Sequence, residues 1–143
     1  MRSRFVRPET RRLELTDGDW ITVKARLTAG EKRAMFARMY HEVERQNGTL
    51  QPVVDLARIS FVRLSAYLVD WSLEFPIRGV PVDVVEAALR NLEDDDLTEL
   101  LAVLDAHEAR EAEAFAALKK TSGAPASSPT LPSLVGAIGA MSG

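Results

Sequence analysis

No charged residue occurs after Lys120, and residues 121–143 are dominated by Ser, Pro, Gly and Ala. A stretch of that composition cannot bury enough apolar surface to offset the entropy of ordering it, so it reads as a disordered tail. Within it, Leu131, Leu134, Val135 and Ile138 fall at helix-like spacing. They could form a short element that folds onto a partner, against which Gly136 and Gly139 argue. The tail leaves about 120 residues for folding, enough for one core and too few for two well-buried ones. The hydrophobic fraction of 46% and charged fraction of 27% are those of a globular chain.

Charge narrows the class further. Arg2, Arg4, Arg7, Arg11 and Arg12 crowd the N-terminus, yet the formal net charge is −3. A general nucleic-acid binder carries a basic excess, so residues 1–10 read as a solvated basic arm and a nucleic-acid partner is not expected. With no cysteine, disulfides and thiolate zinc sites are excluded. The opening Met-Arg-Ser-Arg-Phe-Val-Arg-Pro lacks the apolar region of a secretory signal. The most apolar stretch, residues 53–73, contains Asp55, Arg58, Arg63 and Asp70, each costing roughly 2.5–3.5 kcal/mol at a membrane helix centre. No membrane association is expected, and a cytoplasmic location is.

Residues 11–26 read as a β-hairpin. Leu13 and Leu15 alternate with polar residues, as do Ile21 and Val23, around Thr16-Asp17-Gly18-Asp19. A two-residue Asp17-Gly18 turn would pair Leu15 with Trp20 and split the aliphatics between faces. A three-residue loop with Gly18 left-handed pairs Leu13 with Ile21 and gathers all four on one face, leaving Trp20 on the other. The second register is favoured.

Four helices are expected after it. Thr28 and Glu31 fit a capping box opening a helix that places Met35, Phe36, Met39, Tyr40 and Val43 on one stripe and stops near Asn47-Gly48. Pro52 then suits the first turn of a central helix over 53–73. One row of that helix carries Ala57, Phe61, Leu64, Leu68 and Trp71, and another Ile59, Val62, Ala66, Val69 and Leu73. Phe75, Pro76, Gly79 and Pro81 mark a loop. Asp83 with Glu86, and Asp96 with Glu99, read as two further capping boxes. The last helix buries Leu97, Leu100, Leu101 and Leu104, and thins in apolar content beyond His107. The expected fold is therefore mainly α: an N-terminal β-hairpin followed by a four-helix compact domain over 11–120 and a disordered C-terminal tail.

Residues able to carry catalysis are sparse. His41-Glu42 begins like a zinc-protease helix, but Arg45 stands where the second histidine belongs. His107 shares its helix with Asp105 and Glu108 mostly on different faces. Glu93, Asp94, Asp95 and Asp96 lack the spacing and glycine of a calcium loop and read as helix capping. Neither a dinucleotide fingerprint nor a Walker pattern occurs, and Ser60, Ser65 and Ser72 have no convergent histidine and acid in the sequence. The chain is not expected to be an enzyme, to hold a metal or to bind a cofactor.

Three blocks point elsewhere: Asp17-Gly18-Asp19-Trp20-Ile21-Thr22-Val23-Lys24, Leu27-Thr28-Ala29-Gly30-Glu31 and Tyr67-Leu68-Val69-Asp70-Trp71-Ser72-Leu73. With Gly79-Val80-Pro81-Val82 and the leucine-rich helix ending near His107, their order and spacing over residues 11–110 resemble the tail assembly chaperones of long-tailed bacteriophages. The resemblance implies a helper in the host cell cytoplasm. It would bind the tape measure protein, and also tail tube protein subunits, during virion morphogenesis, and leave the finished particle. It also implies a short form and a frameshifted longer form. Lys119-Lys120 is compatible with a slippery codon pair, and equally with ordinary lysine usage at a helix end. Trp20, Trp71 and Phe75 are the expected partner-binding anchors where they are exposed, because aromatics dominate interface energetics. Trp71, on the central helix, reads more readily as core, and Trp20 reads either way. The competing readings are a structural tail or connector component of the virion, and a small DNA-binding regulator using the arginine-rich arm.

Overall fold

In the computed structural model, which describes residues 4–121, the chain divides into two units, 1–108 and 109–143. The mainly-α expectation is overturned. Among the described residues there are four α-helices and five strands in two sheets, an α+β arrangement. The tail beyond residue 121, with Leu131, Leu134, Val135 and Ile138, lies outside the described residues, as do residues 1–3 of the arm.

The first unit opens with β1 (Thr10–Glu14) and β2 (Trp20–Lys24), paired antiparallel with Leu13 opposite Ile21. This is the register argued from the side chains. A three-residue turn at Thr16–Gly18 closes it, with Gly18 at φ +79° and Asp17 also left-handed at +61°. Leu13, Ile21 and Val23 are buried on one face, with Leu15 partly so. Trp20 falls on the other face, half-buried under the Arg12 guanidinium 4.5 Å from its ring.

Thr28 caps α1 (Ala29–Arg38): its hydroxyl accepts from the Glu31 amide, and the Glu31 carboxylate accepts from the Thr28 amide. Thr28→Ala should therefore cost about 1 kcal/mol, read as a small shift of the urea midpoint with an unchanged slope.

Downstream, two expected helices give way to strands. The first helix stops at Arg38, and β3 (Tyr40–Glu44) pairs antiparallel with β4 (Leu50–Val54). Asn47-Gly48 is thus a hairpin turn and not a helix cap. The Gly48 amide donates to the Arg45 carbonyl at 2.9 Å, Gly48 is left-handed, and Asn47 Oδ1 accepts from the Thr49 amide. Pro52, expected in a helix's first turn, sits within β4. Phe36, Tyr40 and Val43 are exposed and form no buried stripe.

The central helix over 53–73 shortens to α2 (Ile59–Tyr67), followed directly by β5 (Leu68–Trp71). The cause is the outer edge of β2, whose backbone groups need partners beside a buried face. The Leu-Val-Asp-Trp run supplies them in the order β1-β2-β5. Short apolar runs fit helix and strand periods equally well, so periodicity could not separate the two.

After the loop, α3 (Val82–Leu89) begins at Pro81 without a side-chain cap, so Asp83 and Glu86 form no capping box. The last helix, α4 (Asp94–Thr121), starts two residues before Asp96, and Glu99 is engaged elsewhere. One core joins the sheet to the helices of this unit: Ile21, Val23, Val62, Leu64, Leu89, Leu100 and Leu104 are almost wholly buried. His107 lies among them, 1% exposed, its Nε2 3.1 Å from the carbonyl oxygens of both Lys24 and Ala25. Two acceptors require that nitrogen to donate.

Glu86 ties three helices together. Its carboxylate, 5% exposed, accepts from Arg38 at the end of α1, from Arg58 at the entry to α2 (2.8 Å), and from Arg90 one turn on (3.1 Å). Burial pushes its pKa up. The hydrogen bonds from Arg58 and Arg90 and the charges of Arg58 and Arg38 outweigh this and hold it below the usual carboxylate range. A second network joins α2 to α4: Arg63 donates to Asp105 (2.7 Å) and to Glu108, which also accepts from the Tyr67 hydroxyl (2.8 Å). Burial and the Glu108 carboxylate raise the Tyr67 pKa, so the phenol stays protonated as a donor.

The second unit, over its described residues 109–121, continues as helix, with the Lys119 ammonium 6.0 Å from the Phe115 ring centre. Among the described residues no helix is long and apolar enough to cross a membrane.

Candidate partner-binding cleft

A cleft of about 450 Å³ opens in the first unit, between the β1–β2 turn, the segment after β5, and the α3–α4 junction. Its walls are held by polar contacts between distant parts of the chain. The Thr16 amide and hydroxyl both donate to the Glu99 carboxylate, at 2.8 and 3.1 Å. Ser72 locks the other wall: its Oγ accepts from the Trp20 amide at 2.9 Å and donates to Asp19 Oδ1 at 3.0 Å.

The floor is apolar, formed by Leu15, Trp71, Leu73, Leu92 and Leu100. Around it stand Asp17, Asp19, Glu74, Glu93, Asp96 and Glu99, with no Lys, Arg or His in the lining. An apolar floor inside a ring of carboxylates suits an apolar side chain flanked by cations.

The three expected anchors are distributed unequally. Trp71 is buried, and its indole N–H donates to the Phe75 carbonyl at 2.9 Å, so it supports the floor. Phe75 sits on the rim, 71% exposed, with its backbone left-handed at φ +62°. A non-glycine residue in that region carries strain of order 1–3 kcal/mol, which the Trp71 hydrogen bond helps to hold. Trp20 shares only the wall: its backbone bonds to Ser72, while its ring lies on the opposite face of the sheet under Arg12.

The cleft carboxylates were missed as a group. Glu93 and Asp96 read as helix-start charges, and nothing in the sequence tells that the Asp17–Asp19 turn faces them. His41 lies on exposed β3, 3.7 Å from Asp55, and His107 is committed to strand carbonyls. Among the described residues no group of three His, Cys, Asp or Glu side chains is placed to hold a metal ion. Compared with protein-family models, curated proteins and solved structures, the chain finds no match.

Proposed function

We propose that this chain is a tail assembly chaperone of a long-tailed bacteriophage, binding the tape measure protein in the host cell cytoplasm while the tail is built. The observation that best supports this reading is Phe75, an aromatic ring held outward at the rim of an apolar, acid-ringed cleft. A chaperone for a long helical client needs apolar surface that can be covered reversibly and charge that keeps the complex dissolved. Two of the blocks that carry the family resemblance, residues 17–24 and 67–73, contribute to the lining of this cleft, as does the leucine-rich helix, while residues 27–31 and 79–82 do not. Residues 17–24 and 67–73 lie side by side as β2 and β5 and meet through Trp20 and Ser72. Tail tube subunits are a second candidate client, and a frameshifted longer form of the chain a further partner.

The test is co-expression with the tape measure protein encoded nearby. The expected result is a soluble client that co-purifies with the chain. Phe75→Ser should reduce the recovered client several-fold while circular dichroism and the unfolding midpoint stay unchanged, because the ring is exposed. A client that stays insoluble and unbound sinks the proposal. Stoichiometric recovery of the chain from purified virions would make it a structural tail component instead.

A further inference from the structure

The β3–β4 hairpin is exposed along both strands. Two-stranded ribbons are marginal in water unless something packs on them or extends them. This one carries Tyr40, Leu50, Pro52 and Val54 on one face, together with Glu42 and Glu44, and Leu50 is 62% exposed.

Its two outer edges differ. The Arg45 amide donates to the Thr49 carbonyl at 2.8 Å, and the Asp55 amide to the Met39 carbonyl at 2.7 Å. Bonded and non-bonded pairs alternate along an antiparallel ladder. The pairs Tyr40/Val54, Glu42/Pro52 and Glu44/Leu50 are therefore the non-bonded ones, and these six residues turn their backbone groups outward. On β4 the middle outward position is Pro52, which has no N–H to offer. On β3 all three outward residues keep both donor and acceptor.

We propose that the outer edge of β3 is a docking site for an extended segment of a partner protein, added as a third strand and carrying basic residues at alternate positions. Charge complementarity selects this occupant. Glu42 and Glu44 project beside the edge on one face, where cross-strand Lys or Arg is favoured and a like charge is not. A second copy fits badly. Symmetric antiparallel pairing of β3 about Glu42 sets that carboxylate against its own equivalent. The inference is independent of the chaperone reading, because the edge and the cleft involve different residues.

The experiment titrates the full chain into a fluorescent synthetic peptide of alternating lysine and valine and reads anisotropy. Saturable binding is expected, weakened about tenfold or more by Glu42→Pro. That change removes the middle donor of the β3 edge, as Pro52 does on β4, without touching a β3–β4 hydrogen bond. Combined Glu42→Lys and Glu44→Lys should weaken binding of the same peptide by about tenfold and confer binding to a glutamate–valine peptide. The double charge reversal carries the test if circular dichroism shows that Glu42→Pro does not fold. Absence of binding, equal binding of the glutamate–valine peptide by the unaltered chain, or binding insensitive to both variants would overturn the proposal. So would a dimer, seen by sedimentation, that Glu42→Pro abolishes.

Discussion

Glu86→Ala is expected to destabilise the first unit by about 3–5 kcal/mol, a large share of the 5–15 kcal/mol typical of a whole domain. The alanine removes the one carboxylate shared by Arg38, Arg58 and Arg90, and strands the Arg38 guanidinium, 20% exposed, without its anion. It also unfastens α1, α2 and α3 from one another. Arg90→Ala is the contrast: that side chain is about half exposed, so its loss should cost no more than about 1 kcal/mol. Urea unfolding at pH 7 would separate the two.

The same carboxylate gives a pH signature. Its pKa is depressed in the folded state, so below the unperturbed value of about 4.3 the unfolded chain takes up the proton more readily. The stability contributed by Glu86 is fully present above that pH and is lost as pH falls through the lower folded value. The stability gap between the unaltered protein and Glu86→Gln should accordingly narrow on acidification below about pH 4.3. A gap that stayed constant to pH 3 would mean that Glu86 acts by packing and not by charge.

Leu104→Ala should cost about 2–5 kcal/mol. Leu104 is fully buried on α4, within the core that holds Ile21, Leu64 and Leu89. Removing its three outer carbons leaves a cavity between elements that are braced by hydrogen bonds at Thr16–Glu99 and His107, so the site can collapse only partly. Leu56→Ala, at an exposed position, should stay within about 0.5 kcal/mol. Comparable losses at the two sites would contradict the core described above.

The first hairpin was legible because one register alone collects Leu13, Leu15, Ile21 and Val23 on a single face. The Thr28 cap was legible because its two partners sit three residues apart. What misled was distance along the chain. The Leu-Val-Asp-Trp run of β5 carries a helix period as well as a strand period, and only the unpaired edge of β2, more than forty residues upstream, decides between them. Asn47-Gly48 suits a helix end and a hairpin turn alike, and the exposed faces of β3 and β4 offered no buried alternation to separate them. Glu86 lies three residues after Asp83, a spacing that mimics a cap, while two of its three partners, Arg38 and Arg58, are brought in from other helices. The cleft followed the same rule: its carboxylates come from three separated segments, and their convergence has no local signature.

Pro52 also bears on what this chain does to itself when abundant. An open sheet edge that matches the opposite edge of the next molecule would let copies stack head to tail without limit. Here the β3 edge of one molecule would meet a β4 edge lacking its middle donor, so the ladder is interrupted at its centre. A single imino acid at that position works against the ribbon serving as the repeat unit of a fibre.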